Sequence, residues 1–324
     1  MTIDAEPPTS FRMNNGQSIP SVGLGTWQAK PGEVKDAVKY ALSVGYRHID
    51  GALIYQNEEE VGQGVKESGV PREEIFLTSK LWNTYHDRVS ECLDQTLKSL
   101  GTDYLDLYLV HWPVRLVAND TSPLFPLNPD GSRATDRSWN QQETWRQMEE
   151  VLASGKVKAI GVSNFSIPYL EHLSQTWKVV PAINQVELHP YNPQHGLHEY
   201  CKSKGILLEA YCPLGSTNSP LLGDEELLRI AKKNGVSPAT ILISYQVNRG
   251  IVVLPKSVTA QRITDNLKTI KLDEDDMKVL NSMAANGKQQ RVNTPLFGWD
   301  LGFHDWYGVG NKDAPNPEAV TVRG

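Results

Sequence analysis

The sequence predicts an α/β fold, a closed (β/α)8 TIM barrel with an N-terminal β-hairpin and long loops at the C-terminal mouth. Eight short apolar runs indicate buried parallel strands, segments with helical periodicity lie between them, and ionisable residues follow several runs. The chain has 324 residues, which fits one barrel. We therefore expect a single domain over residues 1–324, with a substrate-covering tail over about 284–324.

The first predicted element is a hairpin. Residues 11–13 and 17–20 favour two strands, and the Asn15-Gly16 pair between them is typical of a type I′ turn. The barrel is expected to start after this hairpin.

Eight predicted strands then alternate with helices. The strands lie at 21–26, 46–50, 75–79, 104–110, 157–163, 183–188, 206–211 and 251–255. Helical spacing predicts helices over 32–45, 87–101, 144–156 and 237–250, and an additional helix over 224–235. Gly45, Gly101 and Gly155 are expected to end helices, and Pro238 to stand near a helix start. Residues 113–140 and 284–324 break the alternation and are expected to reach the barrel mouth.

Composition argues against several classes of partner. A net charge of −6 and a pI near 5.8 do not suit nucleic-acid binding, and no apolar run is long enough for a membrane span. The N-terminus has no secretory signal pattern. Cys92, Cys201 and Cys212 are too few and too widely spaced for a disulfide framework or a zinc site, which favours a reducing, cytoplasmic location.

Four ionisable residues carry the predicted chemistry. Asp50, Tyr55, Lys80 and His111 each stand at or just past the carboxyl end of a predicted strand, and such ends meet at the mouth of a barrel. An ammonium beside a phenol is expected to lower its pKa, and a carboxylate would hold that ammonium. A buried Asp–Lys pair alone would indicate an ordinary internal ion pair. The four groups together favour protonation of a carbonyl oxygen.

A carbonyl that is protonated on oxygen also needs a hydride on carbon, which points to a nicotinamide cofactor. Gln28 stands where a dinucleotide-binding glycine pattern would need its third glycine, so the phosphate site must lie elsewhere. Lys256, Ser257, Thr259 and Arg262 follow the eighth strand, where barrels commonly bind phosphate. Two cations suit a dianionic phosphate and therefore favour NADPH over NADH, although a solvated helix start would show the same residues.

Other polar residues at strand ends fit the nicotinamide. Ser163, Asn164 and Gln185 could hydrogen-bond its carboxamide, and Tyr211 offers a ring for stacking, although each alone could be a satisfied core residue. Their shared position at the mouth favours the cofactor.

Trp27, Trp82 and Trp112 follow strand ends as well. They could belong to an aromatic core, but their position favours the wall of a substrate pocket.

Over about residues 11–300 the chain resembles the aldo-keto reductase family. The resemblance rests on the motifs GLGTW, HIDGALIYQNEEEVG, TSKLW, LYLVHWP, GVSNF, NQVELHP, YCPLG and LPKSVTAQRITDN. It implies NADPH extended across the barrel mouth. It also implies Tyr55 as proton donor, Asp50 and Lys80 as the residues that tune it, and His111 as the residue that orients the carbonyl.

The resemblance implies further cofactor contacts. Lys256, Ser257, Val258 and Arg262 would bind the adenosine 2′-phosphate, with Asp265 and Asn266 near the adenine. The remaining implied contacts lie in the GLGTW segment, at Gly25, Thr26 and Trp27, and in or just after the YCPLG segment, at Leu214 and Ser216. Many relatives have Ser at the position of Cys212. Xylose reductases often have Asn where Val258 stands, and Val at this position favours NADPH over NADH.

The segments DGALIYQNEEEVG and TPLFGWDLGFHDW are similar to fungal NADP-dependent glycerol dehydrogenases and glyceraldehyde reductases. We therefore expect a monomer that reduces aldehydes or ketones with NADPH, including small sugar-derived carbonyls, and oxidises glycerol in reverse. Alternatives are a pentose aldose reductase and a nicotinamide-binding regulatory subunit without turnover. A barrel isomerase or aldolase that forms a Schiff base on Lys80 is a further alternative.

Overall fold

The computed structural model describes residues 6–120, 122–216, 219–295, 297–304 and 306. In its N-terminal hairpin, β1 (Ser10–Arg12) pairs antiparallel with β2 (Ser18–Pro20), as predicted. The predicted type I′ turn is wrong, because it needs a positive φ at both Asn15 and Gly16, and only Gly16 has one, at +85°. The connection is a longer loop over residues 13–17.

Eight parallel strands form the barrel, each hydrogen-bonded to the next along the chain. They are β3 (Leu24–Gly25), β4 (His48–Asp50), β5 (Phe76–Leu81), β6 (Leu107–Val110), β7 (Ile160–Ser163), β8 (Ile183–Glu187), β9 (Leu207–Tyr211) and β10 (Val252–Val253). Nearly all their residues are buried, as expected for strands covered on both faces.

The barrel closes between its first and last strands. Val22 bridges Val253, and Gly25 bridges Lys256, both in the parallel sense. The Gly23 N–H donates to the Val253 carbonyl at 2.9 Å, and the Val253 N–H donates to the Ser21 carbonyl at 2.9 Å. The predicted closed α/β barrel is confirmed.

Helices surround the sheet. They are α1 (Val34–Ser43), α2 (Glu58–Ser68), α3 (Val89–Leu100), α4 (Gln141–Ala153), α5 (Ile167–Ser174), α6 (His195–Ser203), α7 (Glu225–Asn234), α8 (Pro238–Asn248), α9 (Ala260–Asn266) and α10 (Glu274–Ser282). Gly101 takes a left-handed φ of +64° directly after α3, as a helix-ending glycine does. Pro238 begins α8, and the Ser237 side chain caps that helix by accepting from the Thr240 N–H at 3.0 Å.

The loop over residues 113–140 has structure of its own. An antiparallel bridge joins Leu116 to Thr135. Arg115 lies between two carboxylates, 2.5 Å from Asp87 and 2.6 Å from Asp136. These contacts hold the loop against the mouth of the barrel. Within the described ranges, no helix has the length and apolar character needed to cross a membrane.

Candidate active site

The central feature of the mouth is a buried ion pair. Lys80, on β5, has no exposed surface, and its Nζ lies 2.7 Å from both carboxylate oxygens of Asp50. The same ammonium donates to the Gly51 carbonyl at 2.8 Å. Three oxygens therefore fix the ammonium at the end of neighbouring strands.

Tyr55 lies directly above this pair. A short 3-10 helix, Leu53–Tyr55, brings its hydroxyl to 3.4 Å from Lys80 Nζ. Burial and then the charge of Asp50 raise the pKa of Tyr55 well above its ordinary value. The expectation that Lys80 lowers this pKa is wrong for the free protein, because Asp50 neutralises the ammonium and burial disfavours a phenolate. Tyr55 is therefore a protonated donor at neutral pH.

His111 faces Tyr55 from the end of β6. Their ring centroids lie 5.7 Å apart in an edge-on contact, and the Trp82 ring lies 5.4 Å from His111 on another side. Burial, and then the charge of Lys80, lower the pKa of His111 well below its ordinary value. A neutral imidazole retains one N–H, which can donate to a carbonyl oxygen.

These groups lie at one end of a cavity of about 690 Å³. Nearly all the residues that the sequence singled out line it: Gly25, Thr26, Trp27, Asp50, Tyr55, Trp82, His111, Trp112, Ser163, Asn164, Gln185, Tyr211, Leu214, Ser216, Lys256, Ser257, Val258, Thr259 and Arg262. Asp265 and Asn266 do not line it; Asp265 instead accepts from Gln261 on its own helix and pairs with Lys268, just beyond the end of that helix. Lys80 lies beneath the cavity floor.

The middle of the cavity has a preformed polar network. The Asn164 side-chain amide donates to Ser163 Oγ at 3.0 Å and to the His111 carbonyl at 2.9 Å, and the Tyr211 hydroxyl donates to Asn164 Oδ1 at 2.7 Å. Gln185 Nε2 donates to Asp50 Oδ1 at 2.9 Å. These contacts fix the orientation of each amide before any ligand binds.

The far end of the cavity is basic. Lys256 Nζ donates to the Gln28 carbonyl at 3.1 Å, and Arg262 stands exposed on α9. Ser257 Oγ accepts from the Thr259 N–H at 3.1 Å at the start of this helix. Two cations beside hydroxyl groups and backbone N–H groups form a donor set that suits a phosphate dianion. The cavity therefore fits a long ligand with a phosphate at one end.

Aromatic rings form the wall near Tyr55. Trp82 packs against Phe125 of the loop at 5.6 Å between ring centroids, and its Nε1 donates to the Leu124 carbonyl at 2.6 Å. Trp112 contacts Phe297 and Trp306 of the C-terminal segment, at 5.5 and 6.2 Å between ring centroids. The described part of the predicted tail thus reaches the wall, whereas residues 307–324 lie outside the described residues.

The sequence did not single out several residues of the site. Phe125 and Asn293 line the cavity from irregular segments and Leu222 from a short 3-10 helix, where apolar periodicity gives no signal. Glu209 lies inside the apolar run of β9, and a charged residue within such a run was a signal that could have identified it.

A closed α/β barrel with Asp, Tyr, Lys and His at its mouth is a suitable framework for proton transfer to a carbonyl. Residues 21–285 match the family model described as "Aldo/keto reductase family". The chain is 53% identical to D-galacturonate reductase of Hypocrea jecorina, with 92% of this chain and 98% of that protein covered. It is 52% identical to glycerol 2-dehydrogenase (NADP(+)) of Saccharomyces cerevisiae, with 87% and 93% covered.

A solved structure shows the same fold. The aldose reductase from Schistosoma japonicum superposes with a TM-score of 0.84 at 40% identity, covering 89% of this chain and 95% of that chain. The chain belongs to the aldo/keto reductase family and is an oxidoreductase, which confirms both the predicted resemblance and the predicted enzyme class.

Proposed function

We propose that this protein reduces aldehydes and ketones to alcohols with NADPH, acting on small sugar-derived carbonyls, and oxidises glycerol with NADP⁺ in reverse. The observation that carries the proposal is the content of one cavity. Tyr55, His111 and Asp50 line one end of it, with Lys80 bound to Asp50 beneath the floor, and Lys256 and Arg262 line its basic end. The names of the fungal relatives, which include a uronate reductase and an NADP(+)-linked glycerol dehydrogenase, support the substrate class.

The geometry supports the following proposed roles for the catalytic residues. His111, neutral because it is buried, donates its N–H to the carbonyl oxygen and fixes the carbonyl beside Tyr55. Tyr55 then gives its proton to that oxygen, and the ammonium 3.4 Å away stabilises the phenolate that forms. Asp50 holds the ammonium in place. A bound nicotinamide supplies the hydride to the carbonyl carbon.

The cofactor contacts are proposed along the same cavity. Lys256, Ser257, Val258 and Arg262 bind the adenosine 2′-phosphate, with Thr259 beside them. Ser163, Asn164 and Gln185 face the carboxamide, and the Tyr211 ring stacks on the nicotinamide. Gly25, Thr26, Trp27, Leu214 and Ser216 line the path between the two ends. Asp265 and Asn266 stand beyond the cavity edge, at the proposed adenine position.

The aldolase or isomerase alternative has little support in the geometry. A Schiff-base lysine must present a neutral amine to substrate. Lys80 has no exposed surface, and its ammonium is bound to two carboxylate oxygens and a backbone carbonyl. Lys80 does not line the cavity, so its nitrogen cannot attack a substrate carbonyl there.

The decisive experiment measures NADPH oxidation by the purified protein with DL-glyceraldehyde. NADH in place of NADPH, xylose in place of glyceraldehyde, and glycerol with NADP⁺ are run in parallel. Oxidation of NADPH that is faster than that of NADH is the expected result, and the xylose rate tests the pentose reductase alternative. Tight NADPH binding with no turnover on any carbonyl would support the regulatory subunit instead.

We further propose that the protein is a cytoplasmic monomer. One chain supplies every residue of the proposed site, and the three cysteines are free thiols. We also propose that residues 1–324 act as one domain whose C-terminal tail covers the substrate. Asn293, Phe297 and Trp306 support this, because they lie at or behind the cavity wall.

A further inference from the structure

A second carboxyl group lies beneath the Asp50–Lys80 pair. Glu209 stands in the middle of β9, with no exposed surface, level with Gln185 on β8 and Val252 on β10. A buried carboxyl group is costly unless its oxygens are paired or it is protonated. The partners of the Glu209 carboxyl group therefore have to be identified.

Hydrogen bonds connect Glu209 to the catalytic residues. Glu209 Oε2 accepts from Gln185 Nε2 at 2.7 Å, and the same nitrogen donates to Asp50 Oδ1 at 2.9 Å. An amide nitrogen carries two hydrogens, so it can serve both carboxyl groups at once. Asp50 in turn binds Lys80, whose ammonium lies 3.4 Å from the Tyr55 hydroxyl. A continuous chain thus joins Glu209 to the proposed proton donor.

The other groups that face Glu209 leave it without a cation of its own. His48 of β4 lies 3.6 Å from Glu209 Oε1, and burial lowers the pKa of His48 to about 3, so this ring is neutral. Asp50 of β4 repels a second negative charge, Lys80 of β5 is paired with Asp50, and β10 presents Val252 at this level. Burial and the charge of Asp50 raise the pKa of Glu209 to about 8, against smaller opposing effects of Gln185 and Lys80.

Gly23 makes room for this arrangement. A Cβ atom at residue 23 would lie 2.7 Å from His48 Nδ1, so the His48 ring fits here only because residue 23, directly before β3, is a glycine. The His48 Nε2 atom also lies within hydrogen-bond distance of Thr78 Oγ1, at 3.2 Å.

We propose that Glu209 is a positioning residue that orients Asp50 through Gln185 and whose ionisation sets how readily Tyr55 releases and recovers its proton. This inference rests on the proposed function, because it assigns the proton transfer to Tyr55. Glu209 contacts neither the cavity nor a substrate and acts only through the residues above it.

The direction of the effect follows from charge. While Glu209 is protonated, Asp50 and Lys80 balance each other. Its ionisation adds a negative charge beneath them to that of Asp50, which already disfavours a phenolate on Tyr55. Alcohol oxidation needs that phenolate as the base, so an ionised Glu209 opposes oxidation at alkaline pH. Charges this close within a protein interact by on the order of one pKa unit.

The test compares wild type with Glu209→Gln, which has the same shape and no ionisable group. The pH dependence of kcat/KM is measured for glycerol oxidation with NADP⁺ between about pH 6 and pH 10. In the wild type, the ionisation of Glu209 should give an inflection near pH 8 in the plot of kcat/KM against pH. In Glu209→Gln this inflection should disappear, and the apparent pKa above which glycerol oxidation becomes fast should fall by about one unit. Glu209→Met is also neutral and should show the same displacement if the Gln variant does not fold.

Val252→Ala is the matched control. It removes apolar volume at the same level of the barrel without changing any charge, so it should lower thermal stability and leave the pH profile in place. The inference would be overturned if the pH profile of kcat/KM were the same in the wild type and in the neutral Glu209 variants. It would also be overturned if Val252→Ala displaced the pH profile as far as Glu209→Gln does.

A second measurement separates this inference from the proposed function. Ultraviolet titration of the Tyr55 phenolate, taken as the difference from Tyr55→Phe in each background, needs no turnover. An inactive wild-type protein would contradict the proposed function, and the titration would still decide the inference. A Tyr55 pKa that is the same with and without the Glu209 carboxyl group would contradict it.

Discussion

At the scale of single residues, the Tyr55 hydroxyl is the proposed proton donor. Tyr55→Phe removes the donor and leaves the ring in place. We expect kcat for glyceraldehyde reduction to fall by about 10²–10⁴-fold, the usual worth of a positioned general acid. Steady-state kinetics with NADPH, together with a direct measurement of NADPH affinity, checks this.

Tyr85→Phe is the matched control for that variant. The Tyr85 hydroxyl donates to Gln95 Oε1 at 3.3 Å on the surface, outside the cavity, so this variant should keep wild-type activity. Near-normal reduction by Tyr55→Phe would contradict the assigned donor.

The sequence predicts where such residues stand better than it predicts their electrostatics. Asp50, Lys80 and His111 could be found because each ends an apolar run, and parallel strand ends meet at one edge. The direction of the Tyr55 pKa shift could not be found in this way, since it depends on burial and on how completely Asp50 neutralises Lys80. Glu209 was missed because a run such as ILLEAY marks a buried strand without showing which residues point into the barrel.

At the scale of elements, the start of α9 is the proposed site of the 2′-phosphate, and it should therefore decide the choice between NADPH and NADH. Arg262→Ala removes a cation that binds the proposed 2′-phosphate, a charge-assisted contact worth about 1.5–3 kcal/mol. We expect the preference for NADPH over NADH to fall by about 10- to 100-fold, mainly through weaker NADPH binding. Dissociation constants for both cofactors measure it.

Lys268→Ala controls for the general loss of positive charge near α9. Lys268 pairs with Asp265 on the surface and does not line the cavity, so cofactor preference should not change. An unchanged preference in Arg262→Ala would place the 2′-phosphate elsewhere.

The loop over residues 113–140 contributes Phe125 to the cavity wall, and we expect it to cover the substrate. Arg115 joins Asp87 to Asp136 and lies over the Trp139 ring, 4.7 Å from its centroid. Arg115→Ala should loosen the loop, raise KM for glyceraldehyde by about threefold to tenfold and leave NADPH affinity unchanged. Because the ion pairs are partly exposed, the loss of stability should be about 1 kcal/mol.

Arg146→Ala provides the comparison for the loop variant. Arg146 on α4 also contacts two carboxylates, those of Glu143 and Glu150, but on an exposed face away from the cavity. KM should stay at the wild-type value. A wild-type KM in Arg115→Ala would show that the loop does not control substrate access.

Elements with regular periodicity were predictable, and irregular ones were not. The barrel strands and helices α1, α3, α4, α7 and α8 follow from apolar spacing. The hairpin turn was wrong because loop length, which the Asn15-Gly16 pair does not fix, selects the turn type. The bridge between Leu116 and Thr135 joins two irregular segments, for which no local pattern exists.

At the scale of the whole molecule, the seam between the first and last strands holds together both the barrel and the site. A Cβ atom at residue 23 would lie 2.7 Å from Leu254 as well as from His48. Gly23→Ala should therefore push apart the seam and lower the free energy of unfolding by about 1–3 kcal/mol, the usual range for overpacking. Chemical denaturation of wild type and variant measures this loss.

The matched control for the seam is Gly196→Ala, early in α6. A Cβ atom there would meet no heavy atom within 4 Å, and alanine favours helix, so stability should be unchanged or slightly higher. In Gly23→Ala the added methyl group should displace His48, which lies 3.6 Å from Glu209. It should also displace β3, whose Gly25 lines the cavity. Activity should therefore fall even under conditions in which the variant is fully folded. A variant with wild-type stability and activity would show that the barrel absorbs a methyl group at its seam without disturbing the mouth.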